Sequence, residues 1–165
     1  MTSTVEDRLA ALGLSLPERC DPRGNFLPFE QTGSLVFMAG QICEWNGGVP
    51  FTGPVRGGEE AADEAETSIS LEDGRRAAEI CALNLLYHLR SASDGDLDRV
   101  TSVVRVGGIV NCRFGFDKSP AVINGASDLL IALYGDAGRH ARTAVGVAGL
   151  PANASVEVDA VFEIA

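Results

Sequence analysis

The chain has 165 residues, enough for one well-formed core and too few to require two domains. Its net charge of −10 and 6% aromatic content argue against nucleic acid as a partner, because Lys and Arg supply most of that affinity. No run approaches the roughly 20 apolar residues of a membrane span, and the N-terminus lacks the pattern of a signal peptide. We therefore predict one domain over residues 1–165 of a soluble, cytoplasmic protein, with no nucleic-acid or membrane partner.

The first 20 residues predict a helical N-terminal extension. Ser3 or Thr4 can cap the helix, and Gly13 supplies a stop at its C-terminal end. The apolar positions that are expected to share one helix face are Val5, Leu9 and Leu12. Residues 20–28, rich in proline and glycine, then predict a loop or an irregular edge.

Residues 34–41 form a short apolar run, which predicts a strand buried on both faces. Residues 53–69 are rich in glycine and acidic side chains and show no apolar period, so an exposed loop is predicted there. A mobile lid is the functional alternative for this loop, because long loops in compact domains are either functional or merely flexible.

The middle of the chain predicts two helices separated by a long strand. The longest helix begins near Ser70, which resembles a capping box with Asp73, and its apolar period continues to Leu89. Valine and glycine over residues 100–111 indicate the strand. Pro120 then begins the second helix.

The last residues, 156–164, alternate between apolar and polar side chains and give the clearest strand signal. Residues 143–147 are predicted to be the partner of this strand. Two helices between runs of strands indicate an α+β fold, in which a single mixed sheet carries two main helices on one face. The other face is then either solvated or covered by oligomerisation.

Histidine and cysteine spacing gives no sign of a metal site. The four cysteines contain no CxxC pair, so they are expected to be reduced and mostly buried. His88 falls within the long helix and His140 stands alone in a loop. Walker, GxGxxG, GxSxG and HExxH motifs are also absent, and we predict neither a metal nor a cofactor.

Arg142 lies where a loop becomes a strand, between the small residues Ala141 and Ala144. A guanidinium can hold a carboxylate through two parallel hydrogen bonds, and small neighbours leave room for a compact acid. Glu157 on the last strand could add a second polar group. The alternative is that Arg142 and Glu157 form only a cross-strand ion pair, and the pattern alone favours neither interpretation.

Motifs in the second half of the chain match a family signature in order and spacing. The matching residues are His140, Ala141, Arg142, Val145, Val147, Leu150, Pro151, Ala154 and residues 156–160, with Gly33, residues 39–41, residues 97–100 and Asn124 upstream. From about residue 25 onward, the chain thus resembles the Rid family (YjgF/YER057c/UK114), which is also labelled endoribonuclease L-PSP. It is similar to a longer, less characterised subgroup.

The resemblance implies a chorismate-mutase-like fold and a homotrimer with ligand clefts between its subunits. In active members, the arginine matching Arg142 holds the carboxylate of an enamine or imine derived from an amino acid. The glutamate matching Glu157 positions or activates the water that releases ammonia as a 2-keto acid forms. The other residues that the resemblance assigns to ligand binding are Phe26, Ala39, Gly40, Asn124 and Ala144.

The chain departs from the family pattern at four positions. Phe26 occupies a position where the family pattern has a tyrosine, and Ala39 one where it has a serine. Ala144 replaces a cysteine of the pattern, and His140 replaces a proline. Three functions stay open: a deaminase of small 2-imino acids, a non-catalytic trimer that binds a small carboxylate metabolite, and an endoribonuclease. The acidic net charge makes the last of these the weakest.

Overall fold

The structure is a computed structural model that describes residues 4–57 and 68–165. Its helices are α1 (Val5–Ala11), α2 (Leu71–Ala92) and α3 (Ser119–Tyr134). Its strands are β1 (Phe29–Thr32), β2 (Leu35–Ile42), β3 (Val100–Asn111), β4 (Ala141–Val147) and β5 (Val156–Ile164). None of the helices in these ranges is long and apolar enough to cross a membrane.

The five strands form one mixed sheet in the spatial order β1-β2-β5-β3-β4. Neighbouring strands are antiparallel except β3 and β4, which are parallel because α3 carries the chain back between them. The prediction that residues 143–147 pair with the last strand is therefore wrong, since β3 lies between β4 and β5. The predicted α+β fold, with two main helices on one face, is confirmed.

The core lies between the sheet and helices α2 and α3. Alternate residues of β5, from Val156 to Ile164, are buried beneath the helices. None of the helices in the described ranges lies on the other face of the sheet, where Phe37 in β2 is 46% exposed. The prediction that residues 34–41 are buried on both faces is thus wrong for a single chain, because only one face is covered.

Both predicted helix caps are present. Thr4 forms a capping box with Asp7 at the start of α1, and the Ser70 hydroxyl accepts the Asp73 backbone N–H at 3.0 Å at the start of α2. The prediction that Leu12 shares the apolar face of the first helix is wrong. Helix α1 ends at Ala11, and the Leu12 side chain beyond it is 51% exposed.

The prediction of an exposed loop over residues 53–69 is wrong for the first three of these residues. Gly53, Pro54 and Val55 are buried, because Val55 enters the core and forms bridges to Ile69 and Cys112. The acidic residues 58–67, and with them the lid alternative, lie outside the described residues. The cysteines follow the prediction of being mostly buried, with Cys112 half-buried.

Candidate functional site

Arg142 is the second residue of β4 and projects onto the N-terminal half of α3. Its Nη1 donates to Asn124 Oδ1 at 2.8 Å and to Ser127 Oγ at 3.0 Å, and its Nη2 donates to the Pro120 carbonyl at 3.2 Å. Three of the five guanidinium N–H groups are thereby occupied. Among the described residues, the Nε–H and one N–H of Nη2 have no partner, which leaves two donors for a carboxylate.

Two of the predicted ligand-binding residues accompany Arg142. Asn124 contacts the guanidinium directly and fixes it on α3. Ala144 follows two residues later on β4, so its side chain lies on the same face as Arg142, half-buried against the core. The structure therefore groups Arg142, Asn124 and Ala144 at one edge of the sheet.

Glu157 occupies a different place, on the face of the sheet that the helices leave open. Its neighbours Val156 and Val158 are both buried beneath the helices, so the Glu157 side chain projects the other way. There it lines a cavity of about 170 Å³ together with Phe26 and Gly40, two further predicted site residues.

Gly40 makes room for the Glu157 carboxyl group. A Cβ atom at position 40 would lie 2.0 Å from Glu157 Oε1, far inside van der Waals contact. The register between β2 and β5 shifts between Met38 and Gln41, which places Ala39 and Gly40 in a bulge. Ala39, the remaining predicted site residue, is fixed within this bulge by a hydrogen bond from its N–H to the Pro28 carbonyl.

The Glu157 cavity is acidic. Asp21 and Glu44 also line it. Arg23, the one basic residue among the described residues of its wall, donates from Nε to Glu44 Oε2 at 2.6 Å. Burial, and secondly the charge of Asp159, raise the pKa of Glu157 above its ordinary value. Three carboxyl groups against one guanidinium favour a cationic or hydrogen-bond-donating ligand group in this cavity.

Several residues of the site were not predicted from the sequence. In the cavity wall, Asn84 donates to the carbonyls of Ile42 and Glu44, and Gln41 accepts a hydrogen bond from the Cys20 thiol. Asn84 gave a usable signal as a polar residue on the apolar face of α2, and Gln41, Pro151 and His140 lie at positions of the family signature without being assigned to the site. The other unpredicted residues are Asp21, Arg23, Glu44, Pro151 and, beside Arg142, Ser127 and His140.

Arg142 and Glu157 do not meet within one chain. They lie on opposite faces of the sheet, and β3 separates their strands. The alternative of a cross-strand ion pair between them is therefore wrong. Each group instead lies in its own half-site, one basic and one acidic.

Metal ligands are not clustered in the part of the chain that the structure describes. No three His, Cys, Asp or Glu side chains within residues 4–57 and 68–165 are placed to share an ion. His88 is buried in α2, where its ring contacts Tyr87 edge-on at 5.2 Å between centroids. His140 contacts Ser127 and the backbone of Gly138.

Residues 6–164 match the model of the family described as "YjgF/chorismate_mutase-like, putative endoribonuclease". The chain belongs to this family. Protein TCP17 of Trypanosoma cruzi is 37% identical over 97% of this chain and 94% of its own length. The crystal structure of Atu1372 from Agrobacterium tumefaciens is 38% identical, with a TM-score of 0.85 over 98% of this chain and 92% of that one.

A crystal structure from Shewanella oneidensis is 30% identical, with a TM-score of 0.85 over 98% of this chain and 99% of that one. Agreement over nearly the full length of both chains extends beyond the terminal signature to the N-terminal helix. The Rid-family resemblance and the chorismate-mutase-like fold that it implied are both confirmed.

Proposed function

We propose that the protein is an enamine/imine deaminase, which hydrolyses small 2-imino acids to 2-keto acids and ammonia at clefts between the subunits of a homotrimer. Arg142 of one subunit holds the substrate carboxylate, and Glu157 of the adjacent subunit positions the water. The observation that carries this proposal is the separation of two half-sites on opposite faces of one sheet. Only a second copy of the chain can bring them together.

The arginine half suits a carboxylate anchor. Three hydrogen bonds to α3 hold the guanidinium before a ligand arrives, so little side-chain entropy is lost on binding. Its two free N–H groups belong to Nε and Nη2, adjacent nitrogens that can together hold the two oxygens of a carboxylate.

The glutamate half suits the hydrolytic step. An acidic cavity stabilises the protonated iminium form of the substrate, whose carbon is the more electrophilic. Glu157, with its raised pKa, is a stronger base than an ordinary glutamate and can accept a proton from the attacking water. Water oxygen bonds to the iminium carbon as one water proton passes to Glu157, which then gives that proton to the nitrogen. The C–N bond breaks to release ammonia, and the hydroxyl loses its remaining proton to Glu157 as the C=O bond of the keto group forms.

The same charges weigh against RNA cleavage. A phosphodiester is an anion, and the cavity already holds the carboxyl groups of Asp21, Glu44 and Glu157. Binding of a small carboxylate without turnover is the second candidate. It is favoured by Phe26, which lines the cavity without the hydroxyl of the tyrosine that the family resemblance implies for many active members.

The test is to generate 2-iminopropionate in situ and to follow its disappearance with wild type and with Arg142→Ala. We expect the wild type to accelerate the loss and Arg142→Ala to lower kcat/KM by at least about a hundredfold. Arg76→Ala, at an exposed arginine of α2 that pairs with Glu72 and Asp73, is the matched control and should behave as wild type. A wild type no faster than buffer that still binds pyruvate through Arg142 would leave the binding function in place of the deaminase.

A further inference from the structure

Arg142 is one end of a chain of hydrogen bonds that runs through Ser127 to His140. Arg142 Nη1 donates to Ser127 Oγ at 3.0 Å, and Ser127 Oγ lies 2.9 Å from His140 Nε2. The other ring nitrogen, Nδ1, lies 2.7 Å from the carbonyl oxygen of Gly138. The three side chains come from α3, β4 and the loop residue just before β4.

The Gly138 carbonyl and the Arg142 guanidinium together fix which atom donates in each hydrogen bond of this chain. A carbonyl oxygen only accepts, so His140 Nδ1 carries the ring proton and donates to Gly138. In the neutral ring, Nε2 is then an acceptor, and the Ser127 hydroxyl donates to it. Because Ser127 gives its proton to His140, its oxygen presents lone pairs to the Arg142 guanidinium, and each bond strengthens the other.

The surroundings keep His140 in this neutral form. Burial, and more weakly the charge of Arg142, lower the pKa of its ring, while the hydrogen bond to Gly138 acts in the opposite direction. The nearby charges of the preceding turn are satisfied elsewhere, since Arg139 pairs with Asp136 at 3.3 Å. At neutral pH the ring therefore acts as a fixed acceptor and not as a cation.

We propose that His140 is a positioning residue that orients the Arg142 guanidinium through the hydroxyl of Ser127. This inference rests on the role of Arg142 in the proposed function. Without the acceptor at Nε2, the Ser127 hydroxyl is free to bond back to a carbonyl of its own helix, as serines in helices commonly do. Its oxygen then turns away from Arg142, and the guanidinium loses one of its three fixed contacts.

The kinetic test compares His140→Ala with His140→Gln. Glutamine can present its Oε1 near the position of Nε2 and keep an acceptor for Ser127, whereas alanine cannot. For His140→Ala we expect KM for 2-iminopropionate to rise about fivefold with kcat within about twofold of wild type, because an anchor that binds ground and transition states alike affects KM. His140→Gln should recover most of the affinity. Equal losses in both variants, or an unchanged KM in His140→Ala, would overturn the proposal.

A second measurement needs no substrate. The chain has two histidines, so long-range proton–nitrogen NMR spectra of wild type and His140→Ala identify the His140 ring by the signals that vanish. We expect the Nδ1–H tautomer at pH 7.5, and an Nε2–H tautomer would overturn the relay. If wild type neither consumes 2-iminopropionate nor binds pyruvate, the proposed function fails, and the tautomer alone then decides whether the relay exists.

Discussion

The two halves of the candidate site place groups of opposite charge in different surroundings. At the edge of the sheet beside α3, Arg142 is surrounded by neutral acceptors that hold its guanidinium without neutralising it. In the cavity on the open face, Glu157 has carboxyl groups as neighbours and a pKa raised by burial and by Asp159. The arginine half leaves the guanidinium charge uncompensated, and the glutamate half makes the Glu157 carboxylate a stronger base.

The proposed function requires both halves. Arg142 offers two donors, but the nearby His140 ring is already engaged by Ser127 and Gly138. Glu157 has a cavity, but the Arg23 guanidinium there is paired with Glu44. Because both halves repeat in every copy of the chain, a symmetric oligomer can complete as many sites as it has subunits. The following changes separate the contributions of the two halves.

The largest effect is expected for Glu157→Gln, which keeps the size of the side chain and removes the base. We expect kcat to fall by at least about a hundredfold while the affinity for pyruvate changes little. Steady-state kinetics with 2-iminopropionate measure the first, and calorimetry with pyruvate the second. Glu163→Gln, farther along the same face of β5, is the matched control; an equal loss there would point to damage to the sheet.

Gly40→Ala should come next, because its Cβ atom displaces the Glu157 carboxyl group without removing it. A misplaced catalytic group typically costs on the order of tenfold to a hundredfold in rate, and we expect kcat to fall within that range. Gly149→Ala, where an added Cβ meets no atom within 4 Å, should retain wild-type kinetics. If Gly40→Ala were fully active, Glu157 would not be the base.

Arg142→Lys affects the other half and should act mainly on binding. Lysine keeps the positive charge but loses the parallel pair of donors, so KM should rise at least about tenfold, roughly 1.4 kcal/mol. Titration with pyruvate provides an independent value for the loss of carboxylate affinity. Near-unchanged affinity would remove Arg142 from the site.

The smallest effect is expected on the pH dependence of kcat/KM. Glu157 must be ionised to accept a proton, so kcat/KM should fall as the pH drops through its raised pKa. Asp159→Asn removes one cause of that shift and should move this acid limb to lower pH, with the plateau at neutral pH preserved. A movement to higher pH would show that Asp159 acts on Glu157 in some way other than charge repulsion.

The sequence was sufficient for most of the fold because the decisive patterns are local. The alternation in β5, the valine-rich β3 and the Ser70 cap depend on neighbouring residues, and all three were located correctly. The pairing of β4 was missed because strand order depends on the crossover through α3, which no local pattern encodes. Leu12 was misplaced for a simpler reason, since helix ends are the least certain feature of a periodic pattern.

The candidate site was predictable only in part. The family signature pointed to Arg142, Glu157 and Gly40, but it could not show that the first two lie on opposite faces, because that depends on strand order and side-chain parity. Arg23 and Glu44 are brought together by a loop and a strand end with no periodic signal. The relay through Ser127 and His140 depends on the approach of α3 to β4, which is a property of the packing.

The central claim, that each site combines Arg142 of one subunit with Glu157 of another, is tested most directly by mixing subunits. Arg142→Ala and Glu157→Gln chains, each inactive alone, are co-assembled in equal amounts. A shared cleft predicts recovery of about a quarter of wild-type activity, since about one cleft in four then has both native groups.

Wild type co-assembled with the double variant is the control: it should retain about a quarter of full activity for a shared cleft and about a half for a site within one chain. If the co-assembled single variants stay as inactive as they are separately, while the control retains a half, the shared cleft is contradicted.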